Sequence, residues 1–313
     1  MRTARSVLTA LALSAAPALA QTAALDTCRG TLEAAKPFAG AIDAPIRKPV
    51  ITRLEDGWCV VSNLDLEAQR DYSPGLVADR IAWRGEGLDA ASQGAAMPLN
   101  LALQIQGFRI VARTPDAATN YLMRAQAFAG REGIDADISL RRDPEAKTLL
   151  IEHISIDFPG ENTLSVSARI EQVDLSTQAS TQMSVGSAAI TEVAFEMQSN
   201  GFFETYLLPV LTYRLLADAE DPEARAEELK LEAAAWIASL PDDFMSGASR
   251  GAVAAFIEDL PNPTGMLSIE FSAPSGFRPA RFVMFEQVPE DGLGDTILRV
   301  FDGAAFTVTY RPR

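Results

Sequence analysis

The sequence predicts an α+β protein: a curved antiparallel β-sheet meander covered by a C-terminal group of amphipathic helices. Three observations point there. Apolar and polar residues alternate along several stretches between positions 99 and 170, the period of a strand with one buried face. Short turn signals separate most of those stretches, so neighbouring strands run antiparallel. Strong helical periodicity is confined to residues 200–260, leaving one late group of helices to cover the apolar strand faces.

Residues 1–20 read as an export signal peptide. Arg2 and Arg5 give a basic start, Val7 to Ala16 an apolar run, and Ala18-Leu19-Ala20 an A-x-A site before Gln21. The run is too short to span a bilayer. Residues 21–313 are then expected as a single exported α+β domain, because no Ser/Gly linker, proline tract or long charge run divides them. The 48% apolar content is enough for a sizeable core. No transmembrane segment is expected after the signal, since the richest apolar stretch, Phe202 to Leu216, is interrupted by Glu204, Pro209 and Arg214. The two cysteines, Cys28 and Cys59, favour a structural disulfide in an oxidising compartment.

Along the chain, Val50 to Leu54 and Trp58 to Leu64 flank Glu55-Asp56-Gly57, a hairpin signal because Asp-Gly tolerates positive φ. Ile81 and Trp83 mark the next strand. Leu99, Leu101, Leu103 and Ile105 alternate with polar residues, and at Gly107 the parity switches to Phe108 and Ile110, which predicts a glycine bulge. A short helix with Tyr121, Leu122 and Phe128 follows Pro115. Three meander strands come next: Ile134 to Leu140, then Leu150, Ile154, Ile156 and Phe158 on one face, then Leu164 to Ile170, with turns at Asp143-Pro144 and Pro159-Gly160. A fourth strand covers Thr191 to Met197.

The helical region begins after Gly201, with Phe203, Tyr206, Leu207, Val210 and Leu211 on one stripe and Pro209 as a kink. Asp221-Pro222 caps a second helix whose Leu229, Ala233, Trp236, Ile237 and Leu240 oppose Glu227, Glu228 and Glu232. A third carries Val253, Phe256, Ile257 and Leu260, and Ser249 is expected to cap it. Met266 to Phe271 and Phe306 to Tyr310 are again strand-like.

The segments LLIEHISIDFPG, LSVSARIEQVDL, AITEVAFEMQSNGFFETYL and AAFIEDLPNPTGMLSIEFSAP together resemble the uncharacterised alphaproteobacterial periplasmic domains with an AsmA-like repetitive amphipathic sheet. The resemblance covers residues 130–275. It carries no catalytic residues, and it implies lipid handling in the cell envelope.

Chemistry-bearing motifs are sparse. Gly247-Ala248-Ser249-Arg250-Gly251 is a literal G-x-S-x-G, but a nucleophile elbow needs a strand before the serine and a histidine after it. The one histidine, His153, lies upstream. One histidine and a bridged cysteine pair exclude ordinary zinc and copper sites, and neither Asp135/Asp137 nor Asp291/Asp295 has calcium-loop spacing. No catalytic residue, metal or cofactor is expected. The whole chain carries a net charge of −15, which the loss of two signal arginines deepens, and such a surface repels nucleic acid and anionic lipid headgroups. Arginine far outnumbers lysine and alanine is abundant, pointing to a GC-rich bacterial genome and hence to the periplasm. The function expected is that of a non-enzymatic periplasmic envelope protein binding or shielding a lipid or other apolar ligand, in a groove lined by Leu101, Leu103, Ile138 and Ile156. An envelope protein-interaction or assembly module is the alternative reading, and a hydrolase of unknown substrate the third.

Overall fold

The structure, a computed structural model, describes residues 24–33, 52–66, 75–93, 96–112, 114–129, 132–282 and 293–313. The predicted signal over residues 1–20 lies outside them, as does Asp291. Among the described residues, ten strands form an antiparallel sheet whose spatial order is their sequence order, and with the helices this makes an α+β chain. The chain gathers into two compact units, one up to Asp135 together with Leu175–Gln178, the other Ala136–Asp174 with Ala179–Arg313.

The first unit contains helix α1 (residues 24–33), strands β1 (Thr52–Glu55), β2 (Trp58–Leu66), β3 (Gly75–Glu86) and β4 (Asn100–Val111), and helices α2 (Leu88–Ser92) and α3 (Ala117–Ala129). The Asp-Gly signal works as expected. Glu55 pairs with Trp58, and Asp56 and Gly57 take φ of 48° and 80°, a two-residue turn whose handedness matches the strand twist. Cys28 and Cys59 form the expected disulfide, with Cα atoms 5.4 Å apart. That bond fastens α1 to β2, and the Trp83 indole N–H donates to Thr31 Oγ1 at 2.9 Å beside it. Cys28, Cys59, Val61 and Trp83 make one buried cluster, against which Leu32, Ile81, Leu101 and Leu103 pack.

At Gly107 the structure corrects the expected bulge. β4 keeps one register with β3 on both sides of it, Arg80 opposite Gln106 and Val77 opposite Arg109, so no extra residue is inserted. Odd positions therefore stay inward: Val111 is buried while Ile110, expected to face the core, is 61% exposed. The glycine is required for another reason. It takes φ 64°, its amide donates to Asp135 Oδ1 at 2.7 Å, and a Cβ there would sit 1.9 Å from Asp79 Oδ2.

The second unit holds most of β5 (Ile134–Asp143), then β6 (Thr148–Phe158), β7 (Asn162–Glu171), β8 (Ala189–Ser199), β9 (Gly265–Phe277) and β10 (Ala305–Pro312). Its helices include α4 (Gln178–Ser187), a π-helical turn (Phe203–Leu207), α5 (Leu208–Leu215), α6 (Pro222–Ala238), α7 (Gly247–Glu258) and α8 (Leu293–Val300). The Asp143 carboxylate accepts from the amides of Glu145 and Ala146, both at 2.9 Å, and closes the β5–β6 turn. Asp221 caps α6 by accepting from Ala224 N, as its sequence predicts. The cap of α7 is corrected: Ser246, not Ser249, is the N-cap residue and accepts from Ser249 N at 3.2 Å. α4 is unanticipated because its Ser, Thr, Gln and Gly carry no apolar stripe.

Candidate functional site

The strand register resolves the two faces of the second unit's sheet. Paired residues of an antiparallel ladder project to the same side, so Ile156, Leu164, Met197, Leu267 and Tyr310 form one row across β6 to β10, and Ile154, Val166, Phe195, Ile269 and Val308 the next. A third row runs Ile151, Ala168, Val193, Phe271 and Phe306. The opposite face is polar, with Ser155, Ser165, Glu196, Ser268 and Thr309 in one row.

One detail of the apolar face departs from the sequence reading. Between Ile151 and Ile154 the β6–β7 register shifts by one residue, a bulge formed at the exposed Glu152-His153. Leu149 and Ile151 thereby join Ile154 and Ile156 on the apolar face. Leu150, expected there, pairs with Arg169 on the polar side.

Burial along these rows is uneven. At the β8–β10 end, Met197, Leu267 and Val308 are buried in one cluster with Ile237 of α6, Leu240, Phe244 and Met245, and with α7 residues Val253, Phe256 and Ile257 beside it. Phe271, Phe277 and Val300 make a second cluster with Phe301 and Phe306, where the Phe277 and Phe301 rings stack at 4.9 Å. Phe158 of β6 and Leu164 of β7 still pack on the first of these clusters, but further along the two strands the rows lose this cover. Ile151, Ile154, Ile156, Val166 and Ala168 are only half-buried and belong to none of the buried clusters, and β5 contains no buried residue. Among the described residues, this part of the apolar face belongs to no buried cluster.

The four groove residues predicted from sequence fall in different surroundings. Leu101 and Leu103 are half-buried in the first unit, packed on the disulfide cluster. Ile138 and Ile156 are half-buried in the second unit, outside the buried clusters.

Neither serine nor histidine chemistry is assembled at the G-x-S-x-G segment. Ser249 is 2% exposed inside α7, and its Oγ accepts from the Val308 amide at 3.0 Å and from Ser246 Oγ at 3.1 Å. It bolts α7 to β10. His153 stands exposed on the β6 bulge. Among the described residues no cluster of His, Cys, Asp or Glu has the make-up of a metal site. An open depression of about 480 Å³ lies by the β5–β6 turn and α4, lined by Lys147, Glu171, Asp174, Ser180 and Ser184 among others. None of the four predicted groove residues lines it.

Two further features escaped the sequence. Tyr310 donates to Asp259 at 2.7 Å, and burial first, then that hydrogen bond and the carboxylate charge, push its phenol pKa well above the ordinary tyrosine value. More consequential is the stripe predicted over 203–211. Phe203 is buried and Tyr206 packs on the core, yet Leu207, Val210 and Leu211 are 40%, 62% and 39% exposed. The π-helical turn separates them, because a wider turn rotates every later side chain out of the α-helical stripe. No signal in the residue pattern marks it apart from Pro209, which sits in the first turn of α5.

The chain matches no protein-family model and no curated protein. Among the described residues, no helix is long and apolar enough to cross a membrane.

Proposed function

We propose that this is a non-enzymatic periplasmic protein of the envelope that binds or shields an acyl chain or similar apolar ligand on the β5–β7 part of its sheet, with α6 to α8 closing the rest of the same face. The carrying observation is the change of burial along two apolar rows, from Met197 and Leu267 at the packed end to the half-buried Ile156 in one, and from Val308 to the half-buried Ile154 and Val166 in the next. An alkyl ligand on that face gains roughly 25 cal/mol for each Å² of apolar surface removed from water. The AsmA-like pattern of residues 130–275 and the export signal support the envelope setting, and the disulfide suits an oxidising compartment. Charge argues for a ligand bound by its tail, since a chain of net charge −15 offers an anionic headgroup little attraction.

The test is uptake of a fluorescent fatty acid by the purified protein, beside native mass spectrometry of protein isolated without detergent. The Ile154→Glu variant should stay folded and lose uptake. Wild-type protein that takes up no fatty acid and carries no lipid overturns the proposal, and a protein co-purifying in its place supports an assembly module.

A further inference from the structure

Three independent observations meet at the segment joining β8 to α6. The first is the π-helical turn Phe203–Leu207, which turns the apolar side of α5 away from Phe203 and Tyr206. As a result Leu207 at the end of the turn and Val210, Leu211 and Leu215 of α5 are exposed, and the one charged residue of α5 is Arg214. The second is a set of buried polar atoms without hydrogen-bond partners among the described residues, Gln198 Nε2 and Ser199 Oγ at the end of β8 and Glu204 Oε2 in the π-turn that follows. Each such atom has given up its hydration without a bond in return, and π-turns recur at functional sites. A segment with unmet hydrogen bonds and an outward apolar face is set up for a second arrangement.

The third observation says where α5 can go. Its stem is fixed, because Phe202 and Tyr206 pack their rings on Phe158 at 4.9 and 5.0 Å, and the Asn200 amide donates to the buried Asn162 side chain. Phe158 ends the β6 face that carries Ile156 and Ile154. α5 has eight residues, so it is about 12 Å long. The strand from Phe158 back to Ile154 covers about 13 Å. Hinged at Phe158, α5 therefore matches the stretch of half-buried apolar sheet that begins there.

We propose that α5 is a lid for the β5–β7 face, set outward by the π-turn and closing over an apolar ligand so that Leu207, Val210 and Leu211 become its outer wall. Closure needs the ligand because the alkyl chain supplies the second apolar surface that offsets the ordering of the segment. This inference rests on the ligand-binding reading above and adds the means of enclosing the ligand.

The chain's two cysteines are both bridged, so a single cysteine introduced as Val210→Cys can be labelled alone with a polarity-sensitive dye. Adding oleate should shift the emission to the blue with the same midpoint as oleate uptake measured on unlabelled protein. The Val210→Asp/Leu211→Asp variant, changed at exposed positions, should keep its melting temperature and bind oleate at least tenfold more weakly. Uptake of oleate without a dye shift, and with unchanged affinity in the double variant, overturns the lid and leaves the binding reading standing. A blue shift produced by phosphatidylcholine vesicles or by raised protein concentration, with none from oleate, assigns α5 to a membrane or to a second copy of the chain and overturns the lid as well. Absence of oleate uptake in wild-type protein removes both readings.

Discussion

Single side chains here do structural work that their motifs disguise. Ser249 has the sequence context of a nucleophile, yet its oxygen is spent on the Val308 amide. Ser249→Ala leaves that buried amide without a partner, so the cost should be about 1–3 kcal/mol, read as a lower midpoint in urea unfolding. A fluorophosphonate probe should leave Ser249 unmodified. The Cys28–Cys59 bond closes a separation of 31 residues; on the chain-entropy model its removal as Cys28→Ala/Cys59→Ala should cost about 3–4 kcal/mol. Thiol labelling of denatured, unreduced protein should find no free thiol. Tyr310 sets a pH response. Its folded pKa is raised and its unfolded pKa is near 10, so its contribution to stability is complete below about pH 10 and is lost as pH rises above it. Thermal melting should therefore fall in alkaline buffer, and less steeply in Tyr310→Phe.

At the level of elements, the legible parts were those whose signals are local. Asp56-Gly57 announces its hairpin, Asp143 its turn and Asp221 its helix cap, because each works through hydrogen bonds or φ values within a few residues. What was hidden depends on neighbours distant in sequence. The Glu152-His153 bulge exists only relative to β7, and it exchanges Leu150 for Ile151 on the apolar face. Gly107 reads as a bulge in isolation, whereas its place beside Asp79 and Asp135 demands a missing side chain without any shift of register. Gly107→Ala should accordingly destabilise the first unit by about 1–2 kcal/mol, the cost of a left-handed backbone for a residue with a Cβ, read as a lower midpoint in urea unfolding. The stripe from Phe203 to Leu211 was visible, but its division by a π-turn was not. Half of the expected groove, Ile138 and Ile156, lies in the half-buried surface of the second unit, while Leu101 and Leu103 have the disulfide cluster as neighbours, a pairing set by a covalent bond to a helix some seventy residues earlier.

For the whole molecule, the contrast between those surroundings gives a paired prediction. Leu103→Glu forces a carboxylate against Cys59 and Trp83 and should cost several kcal/mol, visible as a large drop in melting temperature. Ile154→Glu places the same charge on the half-buried β6 face, outside the buried clusters, and should lower melting much less. Equal losses in the two variants mean that the β6 face is closed core. The in-order strand sequence carries a consequence of another kind. Since every strand's neighbour in the sheet is also its neighbour along the chain, pairs such as β1–β2, β5–β6 and β6–β7 close short loops, whose entropic cost is low, whereas β9 can join β8 only after the chain of α5, α6 and α7 has been made. A chain appearing from its N-terminus can thus lay down the strands from β1 to β8 each against the one before it, and β8 alone must keep an open edge while three helices are completed.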